Sequence, residues 1–296
     1  MKIRAFGKTD IGLKRKINQD MYLIAPELDL YVIADGMGGH KAGEVASRLA
    51  VNTMASYWRK LKEGKPPSFL FSTRKDLSNT ANHLVNSIMM SNAIIHEAQK
   101  KPQYHRMGST VSALIQENDT LWVANVGDSP IYLFDNGRLV QISEEHSVEA
   151  EQRSMGMTNP DGTTNPFLKN VLTRVLGLTS KVNVYINSIR PEPGDMILMC
   201  SDGLTNCVPL DSIAAVLSDS SVPAEQKVNM LVEQANKGGG GDNITVVLLE
   251  VLKEGKWHKL RRRIMSRLIS LELIPPVMIH QQPSWATEGR CFPALL

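Results

Sequence analysis

Eight short apolar runs, each bounded by turn residues, limit what this chain of 296 residues can fold into. They read YLIAPELDLYVIAD, STVSALI, DTLWVANVGD, PIYLF, RLVQIS, NVYINSI, DMILMCSDG and NITVVLLEV. Runs of this kind between Gly, Asn, Asp and Pro punctuation predict strands. In YLFDNGRLVQIS, Asn136-Gly137 separates two alternating runs, a strong hairpin signal. Helical spacing appears over 41–61, where Val45, Leu49, Met54, Trp58 and Leu61 recur, and again over 76–99 and 223–237. Hairpins dominate, and strands do not alternate regularly with helices. The pattern predicts an α+β fold, with antiparallel sheets and helices packed outside them.

Composition narrows the class. A hydrophobic fraction of 42% with 21% charged residues supports a buried core. Cys200, Cys207 and Cys291 form no C-x-x-C pair, which argues against a disulfide framework and a zinc knuckle. The first ten residues lack a secretory apolar region, and no apolar run reaches the roughly 18 residues of a membrane span. The expectation is a cytoplasmic protein. The net charge of +3 is uneven: residues 253–267, KEGKWHKLRRRIMSR, carry +6, which leaves −3 on the rest. The body is therefore no general polyanion binder, and no sequence-specific nucleic-acid contact is expected. The boundary predicted from this shift separates a body, 1–252, from a basic amphipathic segment and tail, 253–296.

Aspartates stand at the mouths of the runs. Asp35 ends YVIAD before a glycine-rich loop, Asp128 follows WVANVG, and Asp202 follows MILMCS. Asp242 precedes NITVV, and Asp20 precedes MYLIAP. Each alone is an ordinary turn residue. Five converging carboxylates would repel one another and raise each other's pKa, a conflict that hard divalent cations resolve. All-oxygen ligands favour Mg²⁺ or Mn²⁺ over zinc. Glycine beside such a ligand leaves room for an ion and its waters.

The ordered set RKINQD, VIADGMGGHKAGEVAS, GSTV, NVGDS, LTRVLG, CSDGL and GGDNITVV resembles the type-2C (PPM) metal-dependent Ser/Thr protein phosphatases in their bacterial form. The resemblance runs from about residue 1 to 251. It implies a four-layer α-β-β-α sandwich and hydrolysis of phosphoserine and phosphothreonine by a water activated at two Mn²⁺ or Mg²⁺ ions. It implies Asp35 as the bridging ligand, the Gly36 carbonyl on one ion, and Asp202 and Asp242 on the other. Asp20 would hold a water, Asp128 with Asp202 would mark a third ion, and Arg15 would hold the substrate phosphate. Asn18 and Asn243 would support these ligands, Asn243 by orienting Asp242. The implied partners are phosphoproteins and an opposing Ser/Thr kinase. The basic run 253–267 suits an anionic membrane or an acidic partner.

Four departures stand out. Gln19 occupies a position where bacterial members carry Glu, and Met37 one where animal members carry a His. Pro130 replaces Arg and reads as the start of an edge strand. Residues 147–172 read as a mobile flap. His40 and His146 read as capping or structural, and His83, His96 and His105 as surface residues. A thiol route is excluded, because C-x₅-R would need Arg at 206 or 213, which are Asn206 and Ile213. The competing reading is a degenerate member that binds phosphoproteins or acts as a scaffold without turnover.

Overall fold

A computed structural model describes residues 1–39, 42–70, 72–157, 168 and 171–253. In chain order its elements are β1 (Lys2–Asp10), β2 (Asp20–Ala25), β3 (Leu30–Met37), α1 (Ala42–Lys62), α2 (Asn79–Ala98), β4 (Gly108–Ser109), β5 (Val111–Glu117) and β6 (Thr120–Val126). There follow β7 (Ile131–Asp135), β8 (Arg138–Gln141), α3 (Val148–Ser154), β9 (Tyr185–Ile189), β10 (Met196–Cys200), α4 (Asp202–Thr205), α5 (Leu210–Ser218), α6 (Ala224–Lys237) and β11 (Ile244–Leu252). Among the described residues no helix is long and apolar enough to cross a membrane.

Two antiparallel sheets form, ordered β1-β11-β10-β7-β8 and β2-β3-β5-β6-β9, with β4 paired to β3. Side-chain alternation stacks them. In β3, Tyr31 and Ile33 enter a core with Leu114, Val123, Ile197, Met199, Val247 and Leu249 from both sheets. Leu30, Val32 and Ala34 point the other way, toward Ala46, Ala50, Met54, Leu84 and Ile88 of α1 and α2. β11 splits likewise: Val246 and Leu248 join Ile213, Val228 and Leu231 of α5 and α6. The fold is thus the expected α-β-β-α sandwich, each strand residue serving one of two cores.

The sequence expectations hold for the helices within 41–61, 76–99 and 223–237 and fail in places elsewhere. The run 22–35 is two strands, broken by a turn at Pro26–Leu28 with Asp29 at φ 55. β1 was not foreseen, because the face opposite its charges, Ile3, Ala5, Gly7 and Thr9, is only weakly apolar. Pro130 does not start an edge strand: β7 lies between β10 and β8. It sits one residue before β7, where only its carbonyl is used, accepting from Cys200 N–H at 3.2 Å.

The expected flap is partly helical. α3 is capped by Ser147, whose Oγ accepts from Ala150 N–H at 3.1 Å. Residues 158–167, 169–170, His40 and the whole tail from 254 lie outside the described residues, so the mobile-loop and tail expectations fall there.

Candidate metal centre and active site

Strand pairing alone brings the five aspartates to one end of the sandwich. Asp20 opens β2 directly across from Asp35 near the end of β3. β6 ends beside the start of β5, and Asp128 follows it. In the other sheet β10 ends beside the start of β11, with Asp202 after the first and Asp242 before the second. Asp35, Asp128, Asp202 and Asp242 line one cleft of about 470 Å³ with Arg15, Gly36 and Asn243. Asp20 sits beneath them, only 6% exposed. Its Oδ2 accepts from Ser201 Oγ at 2.8 Å and Thr245 Oγ1 at 2.7 Å, both from the opposite sheet.

The electrostatics follow from this crowding. Burial holds the Asp35 carboxyl well above the ordinary carboxylate range, and Asp20, Asp202, Asp128 and Asp242 add to it. Asp128 is pushed up to about 7 by burial, then by Asp202. Asp20 is raised to about 6 by burial, against the lowering effect of Thr245 and Ser201. Burial and then Asp242 raise Asp202.

These residues suit hard cations. Asp20 Oδ1 and Asp202 Oδ1 are buried oxygens with no hydrogen-bond partner, and an anionic oxygen in that state calls for a cation. Every donor is oxygen, as Mg²⁺ and Mn²⁺ prefer. Among the described residues, no three His, Cys, Asp or Glu side chains converge on a single preformed ion position. A carbonyl and waters would complete each ligand set, as is usual for Mg²⁺. Arg15 Nη2 holds Asp242 Oδ2 at 2.7 Å at the mouth of the cleft.

Three residues beside the ligands show how the site is held, and Asn243 does so differently from the sequence expectation. Asn243 does not orient the Asp242 carboxylate with its side chain; its backbone N–H does so, donating to Asp242 Oδ1 at 2.8 Å. The Asn243 amide instead donates to Ile11 and Ile17 carbonyls, at 2.9 and 3.1 Å, and accepts from Gln19 N–H at 2.8 Å. It thereby closes the loop that carries Arg15. Asn18 Oδ1 accepts from Asp20 N–H at 3.1 Å and shapes the start of β2. Gln19 is a joint: its carbonyl accepts from Gly36 N–H at 3.1 Å and from Ser47 Oγ at 2.6 Å.

Sequence reasoning missed Thr110, Ser201 and Thr245, single hydroxyls whose role appears only when the sheets meet. Thr110 Oγ1 accepts from Asp35 N–H at 2.9 Å, and Thr110 N–H donates back to Asp35 O at 2.8 Å. His146 and His83 hold the structure. His146 is buried, with Nδ1 accepting from Gly127 N–H at 3.1 Å beside Asp128. Burial, then Arg174, lowers its pKa to about 4. His83 is buried rather than on the surface, 2.6 Å from Tyr57 Oη.

The bare loop after Asp35 has a packing cause. A Cβ at Gly36 would lie 2.0 Å from the Gly43 carbonyl oxygen, so the start of α1 leaves no room for a side chain there. Gly36→Ala should lower stability by about 3 kcal/mol, because a backbone group must move. Displacing the adjacent Asp35 by even 1 Å should cost about a hundredfold in turnover. Chemical denaturation and steady-state rates would check both; an unchanged midpoint would show that α1 yields freely.

The sequence pattern of protein phosphatase 2C matches residues 14–235. The serine/threonine phosphatase stp of Listeria monocytogenes is 33% identical over 246 residues, 82% of this chain and 94% of that protein. The S. agalactiae serine/threonine phosphatase structure superposes with a TM-score of 0.74 at 31% identity, covering 84% of this chain and 100% of that one. The catalytic domain of the serine threonine protein phosphatase PstP, solved in complex with two manganese ions, gives a TM-score of 0.69 at 28% identity. It covers 85% of this chain and 99% of its own. The chain belongs to the protein phosphatase 2C family. Within it, this is a protein serine/threonine phosphatase of the bacterial form.

Proposed function

We propose that the acidic cleft hydrolyses phosphoserine and phosphothreonine on proteins, with two divalent cations, Mn²⁺ or Mg²⁺, required for turnover. The observation that carries this reading is the convergence of Asp20, Asp35, Asp128, Asp202 and Asp242 from both sheets, with two buried carboxylate oxygens left unpartnered. In this reading Asp35 would serve both ions, the Gly36 carbonyl one of them, Asp202 and Asp242 the other, and Asp20 would hold an ordered water. Asp128 with Asp202 offers a third position. Bound cations supply an activated water and offset charge on the phosphoryl oxygens.

The chain's own residues do the rest. Arg15, half exposed at the mouth, turns its guanidinium from Asp242 to the phosphoryl oxygens, which it can grip in bidentate fashion. The Asn243 amide fixes the Arg15 loop from both ends. Met37 carries no proton to give, so water protonates the leaving alkoxide. Cys200 is fully buried and its thiol pKa is raised by burial, which leaves no thiol nucleophile there. The partners in this reading are phosphoproteins and the Ser/Thr kinase that makes them. Contact of the basic run 253–267 with an anionic surface would be a separate matter.

The test is release of inorganic phosphate from a phosphothreonine peptide by the purified chain with Mn²⁺ or Mg²⁺. Absence of release with either ion would favour a phosphoprotein-binding module. Arg15→Ala should raise KM for the peptide about tenfold or more, the loss of a charge-assisted hydrogen bond worth about 1.5–3 kcal/mol. Unchanged KM and kcat would move the phosphate contact to Lys14 or Lys16.

A further inference from the structure

The cleft has a second face. Met37, Val171 and Leu178 are 37%, 43% and 46% exposed, and they share one cleft rather than lying scattered over the surface. With Leu172 and Val175 they line the same cleft as the aspartates. The segment bearing most of this wall is held fast. Val171 O accepts from Val148 N–H at 2.8 Å, and Thr173 N–H donates to His146 O at 2.9 Å. Ser109 and Leu176 exchange backbone hydrogen bonds at 3.2 and 2.9 Å. Gly177 N–H donates to Asn92 Oδ1 at 2.8 Å, while its carbonyl lies 2.8 Å from His96 Nδ1. The wall is a preformed surface and pays little ordering cost on binding.

A phosphoryl group fills a small part of about 470 Å³. Neighbouring residues of a bound peptide are only about 3.8 Å apart at Cα. A substrate seated on the aspartates and Arg15 therefore brings its flanking side chain into the same cleft. The aspartates repel an acidic neighbour, and the wall offers it no hydrogen bond. We propose that Val171, Leu172, Val175 and Leu178 form the subsite for a large apolar side chain beside the phosphorylated residue. The preferred substrates are then phosphosites flanked by Leu, Ile, Val, Met or Phe. This rests on the phosphatase reading of the cleft.

The test uses phosphothreonine peptides with Leu, Gly or Asp immediately before or after the phosphorylated residue. For the full chain with Mn²⁺, kcat/KM for Leu should exceed that for Gly by about tenfold on at least one side. In Val171→Ser/Leu178→Ser the advantage should fall below about twofold, with the Gly peptide hydrolysed at the wild-type rate. Equal rates for Leu and Gly on both sides, or an advantage that survives the double substitution, would overturn the subsite. If the double variant melts lower than wild type, Leu178→Ser alone carries the test, since Leu178 is the more exposed residue. If wild type hydrolyses none of the peptides, the activity reading fails and binding decides the wall. Fluorescence anisotropy should then still show the Leu peptide bound about tenfold tighter by wild type than by the double variant, and equal binding would end the proposal.

Discussion

Asp35→Asn should lower turnover at least about a thousandfold while leaving the fold as stable as before or more so. Loss of a group that merely supports a ligand costs about 10–100-fold, and loss of a shared ligand costs more. The stability arm has a different origin. Asp35 is buried and surrounded by Asp20, Asp202, Asp128 and Asp242, all of which oppose its ionisation. The amide keeps the shape and removes one charge from the group. Its backbone anchors, the paired hydrogen bonds with Thr110, do not involve the side chain. At pH 8 in chelator, the variant should therefore melt above wild type. Near wild-type phosphate release would show that Asp35 is not the shared ligand, and a lower melting point would show that its charge is not a burden.

Removing divalent cations should abolish turnover, and readdition should restore it. It should also make stability fall as pH rises. For a buried acid whose folded pKa is raised, the folded chain holds a proton that the unfolded chain has already released. That advantage is complete below about pH 4 and is lost as pH climbs through the folded value. For Asp20 the loss runs from about 4 and is nearly complete by about 6, and for Asp128 it continues to about 7. His146, lowered to about 4, has the opposite sign: it favours the fold increasingly up to its unfolded value near 6.5. The window to read is therefore pH 6.5 to 8.5, where the residual charge on unfolded His146 at the lower end offsets only about 0.4 kcal/mol of the fall. There Asp128 alone contributes a fall of about 1 kcal/mol, and Asp35 adds to it. Melting curves in chelator should drop across this window, and saturating Mn²⁺ should flatten them. A flat profile in chelator would mean that the carboxylates do not crowd one another.

The site was legible as residue types in position. Five Asp at the ends of apolar runs can be seen in the sequence, and an ordered set of motifs sharpens them. Pairing partners could not be seen. Nothing in YLIAPELDLYVIAD says that the chain folds back at Pro26, yet that hairpin sets Asp20 across from Asp35. Ser201 and Thr245 are common residues, and their importance arises only where two sheets stack. The packing demand at Gly36 was hidden for the same cause, because the carbonyl of Gly43 reaches it through tertiary packing. α5 went unnoticed because its nine residues, LDSIAAVLS, offer too few turns for periodicity to register.

The pin made by Ser201 and Thr245 on Asp20 ties the two sheets together at the very end where their carboxylates push apart. Closure of the sandwich there is thus a ledger of charge as much as of packing. A cell short of divalent ions would feel the shortage twice: each molecule would work more slowly, and fewer molecules would survive. Chains that open at this end expose strand edges to proteases, and the surviving population follows the fraction that stays closed. Ion supply would set the amount of this phosphatase along with its rate, and dephosphorylation would respond to ion scarcity more steeply than binding alone allows.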